Sequence, residues 1–346
     1  MHQADEKYME RAIQLAEKGR FTVSPNPRVG CVIVYQNRII GEGFHQSFGG
    51  PHAEVNAIAS VVDQSLLEQA TLYVSLEPCA HFGKTPPCAD LIVEKKIPRV
   101  VIASADPYEA VDGKGVEKLK AAGIEVKQAV LKSEADLLNR RFFCFHQKKR
   151  PYIILKWAET QDGFIGRLAD DPNAADSWIT SLTSKQLSHL WRAEEEAILV
   201  GQNTAHVDNP ALTCREVEGR NPLRVVIDQK LELSQSLAVF SDQAETLIIN
   251  QSKEEKRGHI EYLKLDFEGN FLDQLMSVLH QRNIQSIIVE GGAFTLNEFL
   301  NLNYWDEIRR FVGKKTFEKG IKAPSLTVKP QKTEKVETDM LYTYYR

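Results

Sequence analysis

The sequence predicts an α/β protein with two domains. The chain has 346 residues, more than one hydrophobic core usually serves, and its 42% hydrophobic content is sufficient for two. Strand-like apolar runs alternate with helical patterns, which favours a sheet sandwiched between helices. A polar, basic stretch ending in proline, 146–151, separates the halves. We therefore place the domains at residues 1–148 and 149–346.

The first half is predicted to alternate helices and strands from its start. A helical stripe over 5–19 ends at a glycine, and residues 36–37 are typical of a hairpin turn between two strands. The apolar spacing after His52 places that residue in the first turn of a helix. The predicted elements are helices over 5–19, from 52, over 89–96, over 116–122 and through 135–138, and strands over 31–35, 38–41, 71–75, 99–103 and 124–126.

A histidine and two cysteines near these elements are typical of an open zinc site. His52, Cys79 and Cys88 offer one imidazole and two thiolates and leave a fourth position for water, so Glu54 is free to move protons. A proline before Cys79 suits a turn into a helix, where backbone amides favour thiolates. The alternative is a closed structural site with His81 as the fourth ligand, which would leave Glu54 without a role.

The pattern matches the first half of the nucleobase-deaminase signature, His-x-Glu followed by Pro-Cys-x-x-Cys. It departs in the second half, because eight residues instead of two separate Cys79 from Cys88. The longer loop carries His81 and Lys84, whose charges suit a substrate phosphate. The remaining thiols, Cys31, Cys144 and Cys214, are interpreted as core or surface residues.

The second half also alternates strands and helices. Lys156 lies in a predicted strand and needs an ionic partner or a ligand unless it faces solvent. Gly291 and Gly292 stand between a strand and a helix, where small residues let a helix start approach a pyrophosphate. The predicted elements are strands over 152–158, 197–201, 222–228, 246–250 and 286–289, helices over 181–194 and 296–300, and a loop-like run over 203–215.

Four segments together resemble the bifunctional riboflavin-biosynthesis deaminase/reductase family. They are Ser24-Pro25-Asn26-Pro27, His52-Ala53-Glu54, Glu77-Pro78-Cys79-Ala80-His81 and Thr85-Pro86-Pro87-Cys88. An eight-residue loop between the two cysteines is the expected form in that family. The resemblance implies an N-terminal cytidine-deaminase-like three-layer α/β/α domain that binds Zn²⁺, and a C-terminal dihydrofolate-reductase-like α/β domain that uses NADPH.

The resemblance also implies roles for individual residues. In the deaminase domain Asn26 contacts the substrate. In the reductase domain the cofactor is lined by residues matching Ala158, Trp178, Thr204 and Asp208, with Gly291 and Gly292 at its phosphates. The reductase substrate is bordered or held by residues matching Lys156, Asp162, Arg192, Leu212, Arg215 and Glu290. Two local departures occur: Thr160-Gln161-Asp162-Gly163 replaces Ser-Leu-Asp-Gly, and Asp208-Asn209-Pro210 replaces Asp-Asp-Pro.

The implied function is deamination of a phosphoribosyl pyrimidine followed by NADPH-dependent reduction of its ribosyl group. One alternative is a zinc deaminase of another pyrimidine or of an RNA base with a non-reducing binding domain, and another is a non-catalytic zinc-stabilised scaffold. The net charge of −4 argues against a nucleic-acid partner. Unpaired cysteine spacing, with neither a signal peptide nor a membrane-length apolar run, indicates a cytoplasmic protein. A homo-oligomer is expected from the resemblance.

Overall fold

The chain folds into two units that are described separately. The computed structural model describes residues 2–80, 86–108, 113–168, 170–173 and 176–346. The division falls between Met1–Lys149 and Arg150–Arg346. Within the described ranges every helix is too short or too polar to cross a membrane.

The first unit is built on a five-stranded mixed sheet. Its described elements are α1 (His2–Glu17), β1 (Gly30–Tyr35), β2 (Arg38–Phe44), α2 (Ala53–Ser60), a 3₁₀ helix (Gln64–Gln69), β3 (Thr71–Leu76), α3 (Cys88–Glu94), β4 (Arg99–Ser104), α4 (Lys114–Ala121), β5 (Glu125–Lys127), α5 (Lys132–Leu138) and α6 (Arg140–Lys148). The strand order is β2-β1-β3-β4-β5. The last three strands are parallel, whereas β1 runs antiparallel to both of its neighbours.

Helices cover both faces of this sheet. Successive residues of β1 point to opposite faces, as the two-residue period of a strand requires. Val32 packs in a cluster with Met9 of α1 and Ala135 of α5. Ile33 belongs to a second cluster with Ala57 of α2, which also includes residues of α3 and α4. The predicted three-layer α/β/α arrangement is therefore confirmed.

The second unit is built on a ten-stranded sheet. Its described elements are β6 (Tyr152–Glu159), β7 (Phe164–Gly166), α7 (Leu182–Glu194), β8 (Ala197–Gly201), α8 (Gln202–Asp208), β9 (Leu223–Ile227), a 3₁₀ helix (Ala238–Phe240), β10 (Thr246–Asn250), β11 (Glu255–Arg257), β12 (Ile260–Lys264), α9 (Phe271–Gln281), β13 (Ser286–Val289), α10 (Ala293–Asn301), β14 (Glu307–Val312), β15 (Ile321–Lys322), β16 (Lys332–Val336) and β17 (Asp339–Tyr345). The strand order is β11-β12-β10-β9-β8-β13-β6-β14-β17-β16, and β7 pairs separately with β15.

The insertion of β13 between β8 and β6 determines where this unit can bind a ligand. All three strands are parallel, so their carboxyl ends lie side by side at one edge of the sheet. In open α/β sheets ligands bind in the crevice outside these ends, where the strand order reverses. The residues that follow β8 and β13 therefore face a common crevice with the end of β6.

The loop-like assignment of residues 203–215 is wrong in its first half. The structure forms α8 over Gln202–Asp208, and within that helix only Ala205 is buried. A seven-residue helix with one buried side chain shows no apolar stripe, so the periodicity on which helix prediction rests is missing. By contrast, the predicted helix over 181–194 is confirmed as α7, and its N-cap Ser181 accepts a hydrogen bond from the backbone N–H of Ser184.

Candidate active sites

The first group of functional side chains lies where α2, β3 and α3 begin or end. His52 is the N-cap residue of α2, Cys79 follows β3, and Cys88 is the first residue of α3. His52 Nδ1 lies 3.6 Å from Cys79 Sγ and 3.3 Å from Cys88 Sγ. The three candidate ligand atoms lie within 4.8 Å of one another, and the described ranges contain no second group of this kind.

The two thiols of this group differ in their acidity. A hydrogen bond from the Cys88 thiol, opposed by burial and aided by His52, lowers the pKa of Cys79 to about 4. The same hydrogen bond and burial raise the pKa of Cys88. The backbone N–H of Cys88 also donates to Cys79 Sγ at 3.3 Å, as expected at a helix start. One imidazole and two sulfur ligands are a donor set that fits zinc.

The turn that carries Cys79 is supported by Glu77. This buried carboxylate accepts the backbone N–H groups of Gly113 and Val116, both at 3.2 Å, and so ties the end of β3 to the start of α4. Gly115 allows the close approach, because a Cβ there would lie 2.0 Å from the Pro78 carbonyl oxygen. The backbone around Cys79 is therefore held by hydrogen bonds from the start of α4 to Glu77. The Glu-Pro-Cys motif alone does not indicate this support.

Glu54 lies in the first turn of α2, beside the ligand group. Its side chain is buried, and burial together with the neighbouring Cys79 raises the pKa of Glu54 to about 7, opposed by His52. A carboxyl group that titrates near neutral pH can both accept and donate a proton, which is what general acid–base catalysis needs.

The position of α2 depends on Gly43 of β2. A Cβ at this residue would lie 2.3 Å from the backbone nitrogen of Ala57 and 2.6 Å from the carbonyl oxygen of Ala53. The helix that carries Glu54 therefore packs directly against the strand backbone. This contact explains why position 43 is a glycine.

Asn26 is connected through His45 to Pro51, the residue before His52. The Asn26 side-chain amide nitrogen lies 3.0 Å from His45 Nε2, and His45 Nδ1 lies 3.0 Å from the carbonyl oxygen of Pro51. The carbonyl must accept, so Nδ1 carries the ring proton and Nε2 accepts from Asn26. His45 thus positions both Asn26 and the residue before His52. The predicted substrate residues His81 and Lys84 lie outside the described residues.

The second group of functional side chains is a buried charge cluster in the other unit. Glu290, directly after β13, accepts hydrogen bonds from Arg192 Nε at 2.8 Å and Nη2 at 2.7 Å. Lys156 Nζ of β6 lies 3.7 Å from the same carboxylate. Burial would raise the pKa of Glu290, but the two cations outweigh it and lower the pKa to about 2. The cluster supplies the ionic partner that the sequence demanded for Lys156.

A loop containing Leu212 and Arg215 lies against this cluster. Leu212 is buried, whereas Arg215 is exposed and its guanidinium makes one long hydrogen bond, 3.4 Å to Thr213 Oγ1. The backbone N–H of Arg215 donates to His189 Nδ1 at 3.1 Å. No motif in the sequence indicated His189.

Small and hydroxyl residues line the crevice at the ends of β8 and β13. A Cβ on Gly291 would lie 3.0 Å from Thr204 Cγ2, and one on Gly292 would lie 3.0 Å from Thr204 Oγ1. Gly292 is the N-cap residue of α10. Thr295 of α10 approaches Gly201 in the same way, since a Cβ on Gly201 would lie 2.6 Å from its Oγ1. The structure thus brings the predicted residues Thr204, Gly291 and Gly292 together.

The other predicted residues of this unit have different surroundings. Ala158 lies near the end of β6. Asp208, at the exposed end of α8, has its pKa raised by partial desolvation of its carboxyl group. Trp178 is 55% exposed, and its Nε1–H donates to the Thr180 carbonyl at 2.6 Å. Asp162 accepts hydrogen bonds from Thr160 Oγ1 and from the backbone N–H groups of residues 317 and 318. Its carboxylate is thus engaged in bracing the strand-end turn.

Comparison with known proteins finds a family match for each of the two units. A model of the RibD C-terminal domain matches residues 151–342, and a model of the cytidine and deoxycytidylate deaminase zinc-binding region matches residues 2–104. The riboflavin biosynthesis protein RibD of Aquifex aeolicus is 39% identical over 363 residues, covering 100% of this chain and 99% of the relative. The chain belongs to the RibD family. RibD of Escherichia coli is 36% identical and covers 90% of this chain and 88% of its own length.

Solved structures of RibD proteins extend the agreement to the fold. A Thermotoga maritima deaminase/reductase has a TM-score of 0.88 and 41% identity, covering 99% of this chain and 98% of its own. Acinetobacter baumannii RibD has a TM-score of 0.88 and 30% identity, covering 100% and 99%. The cytidine-deaminase-like and dihydrofolate-reductase-like architectures predicted from the sequence are confirmed. The chain is a riboflavin biosynthesis enzyme with deaminase and reductase activities that uses Zn²⁺ and NADPH and acts on small molecules.

Proposed function

We propose that the chain catalyses two successive steps on one metabolite. The 1–148 domain deaminates 2,5-diamino-6-(5-phosphoribosylamino)pyrimidin-4-one, and the 149–346 domain reduces the ribosyl group of 5-amino-6-(5-phosphoribosylamino)uracil to ribityl. The Thermotoga maritima relative is named as the deaminase and reductase for this pair of compounds. The observation that carries the proposal is the convergence of His52, Cys79 and Cys88 beside the buried carboxyl of Glu54.

In the deamination step the zinc ion is held by His52, Cys79 and Cys88. The bound ion supplies Lewis-acid activation of the attacking water. Glu54 takes a proton from that water and returns protons to the departing amine, so water is consumed and ammonia leaves as the amine carbon becomes a carbonyl. Asn26, with its amide oriented by His45, binds the pyrimidine. His81 and Lys84 contribute positive charge for the substrate phosphate.

In the reduction step, bound NADPH would supply the hydride that adds to C1 of the opened ribosyl group, with one proton taken up from solvent to complete the ribityl product. Thr204 packs closely against Gly291 and Gly292 at the start of α10, and the cofactor phosphates are assigned to these three residues. Ala158, Trp178 and Asp208 line the remainder of the cofactor.

The reductase substrate is held by the charged residues next to this crevice. Lys156 and Glu290 bind the sugar, while Arg192, Leu212 and Arg215 hold the end that carries the phosphate, a contact for which guanidinium groups are suited by charge and geometry. Asp162 acts by fixing the turn after β6. Because the chain has a net charge of −4, the proposed partner is a phosphorylated small molecule and not a nucleic acid. Cytoplasmic location and homo-oligomeric assembly remain predictions.

The test is a coupled assay on the full chain loaded with zinc. Adding the diaminopyrimidinone substrate should release ammonia first and oxidise NADPH afterwards. Glu54→Gln should retain zinc but lose both signals by about a hundredfold or more, because reduction depends on the deaminated product. Supplying that product directly should restore NADPH oxidation. The matched control is Glu94→Gln on the exposed face of α3. Full deamination by Glu54→Gln would contradict the role given to Glu54.

A further inference from the structure

One face of α7 holds the loop that carries Arg215. Lys185, His189 and Arg192 are spaced four and three residues apart and therefore project from the same side of the helix. Lys185 Nζ lies 2.8 Å from Glu216, and Arg192 Nη1 donates to the Thr213 carbonyl at 3.4 Å. His189 lies between these two anchors and binds the backbone of Arg215 itself, accepting its N–H at Nδ1 over 3.1 Å.

This hydrogen bond determines the tautomer of His189. Because Nδ1 accepts, the single ring proton of the neutral imidazole resides on Nε2. The side chain is 2% exposed, and burial together with the positive charges of Arg192 and Arg215 lowers its pKa, which keeps the ring neutral. A protonated ring would present an N–H to the Arg215 N–H and break the contact. The surroundings of His189 thus preserve the form that can hold the loop.

The Arg215 guanidinium has little other support. The residue is exposed, and its hydrogen bond to Thr213 Oγ1 is long at 3.4 Å. Arg192, by comparison, is fixed by two short hydrogen bonds to Glu290. The direction in which Arg215 reaches therefore depends on its backbone. Within the described part of the chain, His189 makes the side-chain hydrogen bond to the Arg215 backbone itself.

We infer that His189 is a positioning residue of the reductase site, which sets Arg215 for the phosphate of the substrate through the Arg215 backbone. The inference rests on the proposed function, in which Arg215 binds that phosphate. A histidine that only filled the core would contribute to stability, but it would not distinguish a phosphorylated substrate from the same compound without its phosphate.

The test compares His189→Leu with His189→Asn in the full chain. Leucine fills similar space without an acceptor, whereas the asparagine side-chain oxygen can occupy a position close to that of Nδ1. The reductase step is measured alone, with 5-amino-6-(5-phosphoribosylamino)uracil and, separately, with its dephosphorylated form. His189→Leu should raise KM for the phosphorylated compound about tenfold with little change in kcat, since one hydrogen bond is lost. His189→Asn should stay within about threefold of wild type.

Two controls distinguish a positioning role of His189 from a purely structural one. NADPH affinity, measured by quenching of tryptophan fluorescence, should be unchanged, and kcat/KM for the dephosphorylated compound should be equal in all variants. A His189→Leu KM within twofold of wild type, or equal losses with both compounds, would overturn the inference. If His189→Leu does not fold, His189→Phe keeps a planar ring without the acceptor and is judged by the same criteria. If wild type reduces neither compound, the proposed function fails instead.

Discussion

Replacing Glu290 by glutamine should expose how strongly the reductase site depends on charge balance. The variant keeps the shape of the side chain but leaves Lys156 and Arg192 adjacent without a counter-charge. At an effective dielectric constant of about 20, a unit-charge pair 3.7 Å apart, as for Lys156 and Glu290, attracts by about 4.5 kcal/mol. All three side chains are mostly buried, and breaking such a pair from one side costs about 3 to 5 kcal/mol.

The loss should depend on pH through Lys156. Burial lowers the pKa of this lysine, Glu290 raises it, and Arg192 lowers it. Without Glu290 the pKa falls further, so the folded state binds its proton less readily than the unfolded state does. Stability of Glu290→Gln should therefore rise with pH as Lys156 becomes neutral. The destabilisation relative to wild type should be smaller near pH 9 than near pH 6.

The assay is urea unfolding followed by tryptophan fluorescence. All four tryptophans, at 157, 178, 191 and 305, lie in the second unit, so their emission reports that unit alone. Glu298→Gln on the exposed face of α10 is the matched control. The double variant Lys156→Met/Glu290→Gln should recover part of the stability, because one of the uncompensated charges is gone. A Glu290→Gln variant as stable as Glu298→Gln would refute the description of the cluster as a buried ion network.

Three further results are expected. Removing zinc with a chelator should abolish ammonia release but leave NADPH oxidation with the deaminated substrate, because the zinc ligands and the charge cluster lie in different units. Loss of helical circular dichroism from the first unit on chelation would instead support a zinc-stabilised scaffold. Gly43→Ala should reduce the deamination rate at least tenfold, because the added methyl group displaces α2, and it should leave the reduction rate unchanged. Ile39→Ala is the surface control. A normal deamination rate would show that α2 can shift without loss of activity. His189 has a pKa of about 4 when folded and about 6.5 when unfolded, so the unfolded state gains the proton first and stability should fall as pH drops below 6.5, by about 2 kcal/mol at pH 5. His189→Asn should lose this part of the pH dependence in the same urea assay, and an unchanged profile would contradict the assignment.

The zinc group could be predicted from the sequence because its parts mark the ends of regular elements. His52 begins a helix, Cys79 follows a strand and Cys88 begins another helix, and each position carries a local signal such as a proline or an apolar period. The local signals did not show that the three elements lie next to one another, which only the fold establishes. The support from Glu77 could not be predicted, because its partners at 113 and 116 belong to a helix with no motif.

The charge cluster could be predicted from the sequence only in part, because its members are brought together by the strand order. Lys156 required a partner, but nothing near it in sequence indicated Glu290. Glu290 follows β13, which lies between β8 and β6 in the sheet although four other strands, β9 to β12, separate β8 from β13 in the sequence. Arg192 and Glu290 are separated by 98 positions. A contact of this kind depends on strand order, which periodicity does not contain, so only resemblance to a family could place these residues together.

The two unpredicted histidines show why residue type alone is a weak guide to such sites. His45 and His189 both present one ring nitrogen to a partner 19 to 26 positions away, and both are kept neutral by burial. In each case the partner is a residue that we propose to contact substrate, Asn26 in the first unit and Arg215 in the second. Their effect is therefore exerted through another residue, and substitutions should appear as changes in substrate affinity before they appear as changes in the chemical step. A His189→Leu variant with unaltered KM but a reduced kcat would place the imidazole at the reacting atoms and not behind Arg215.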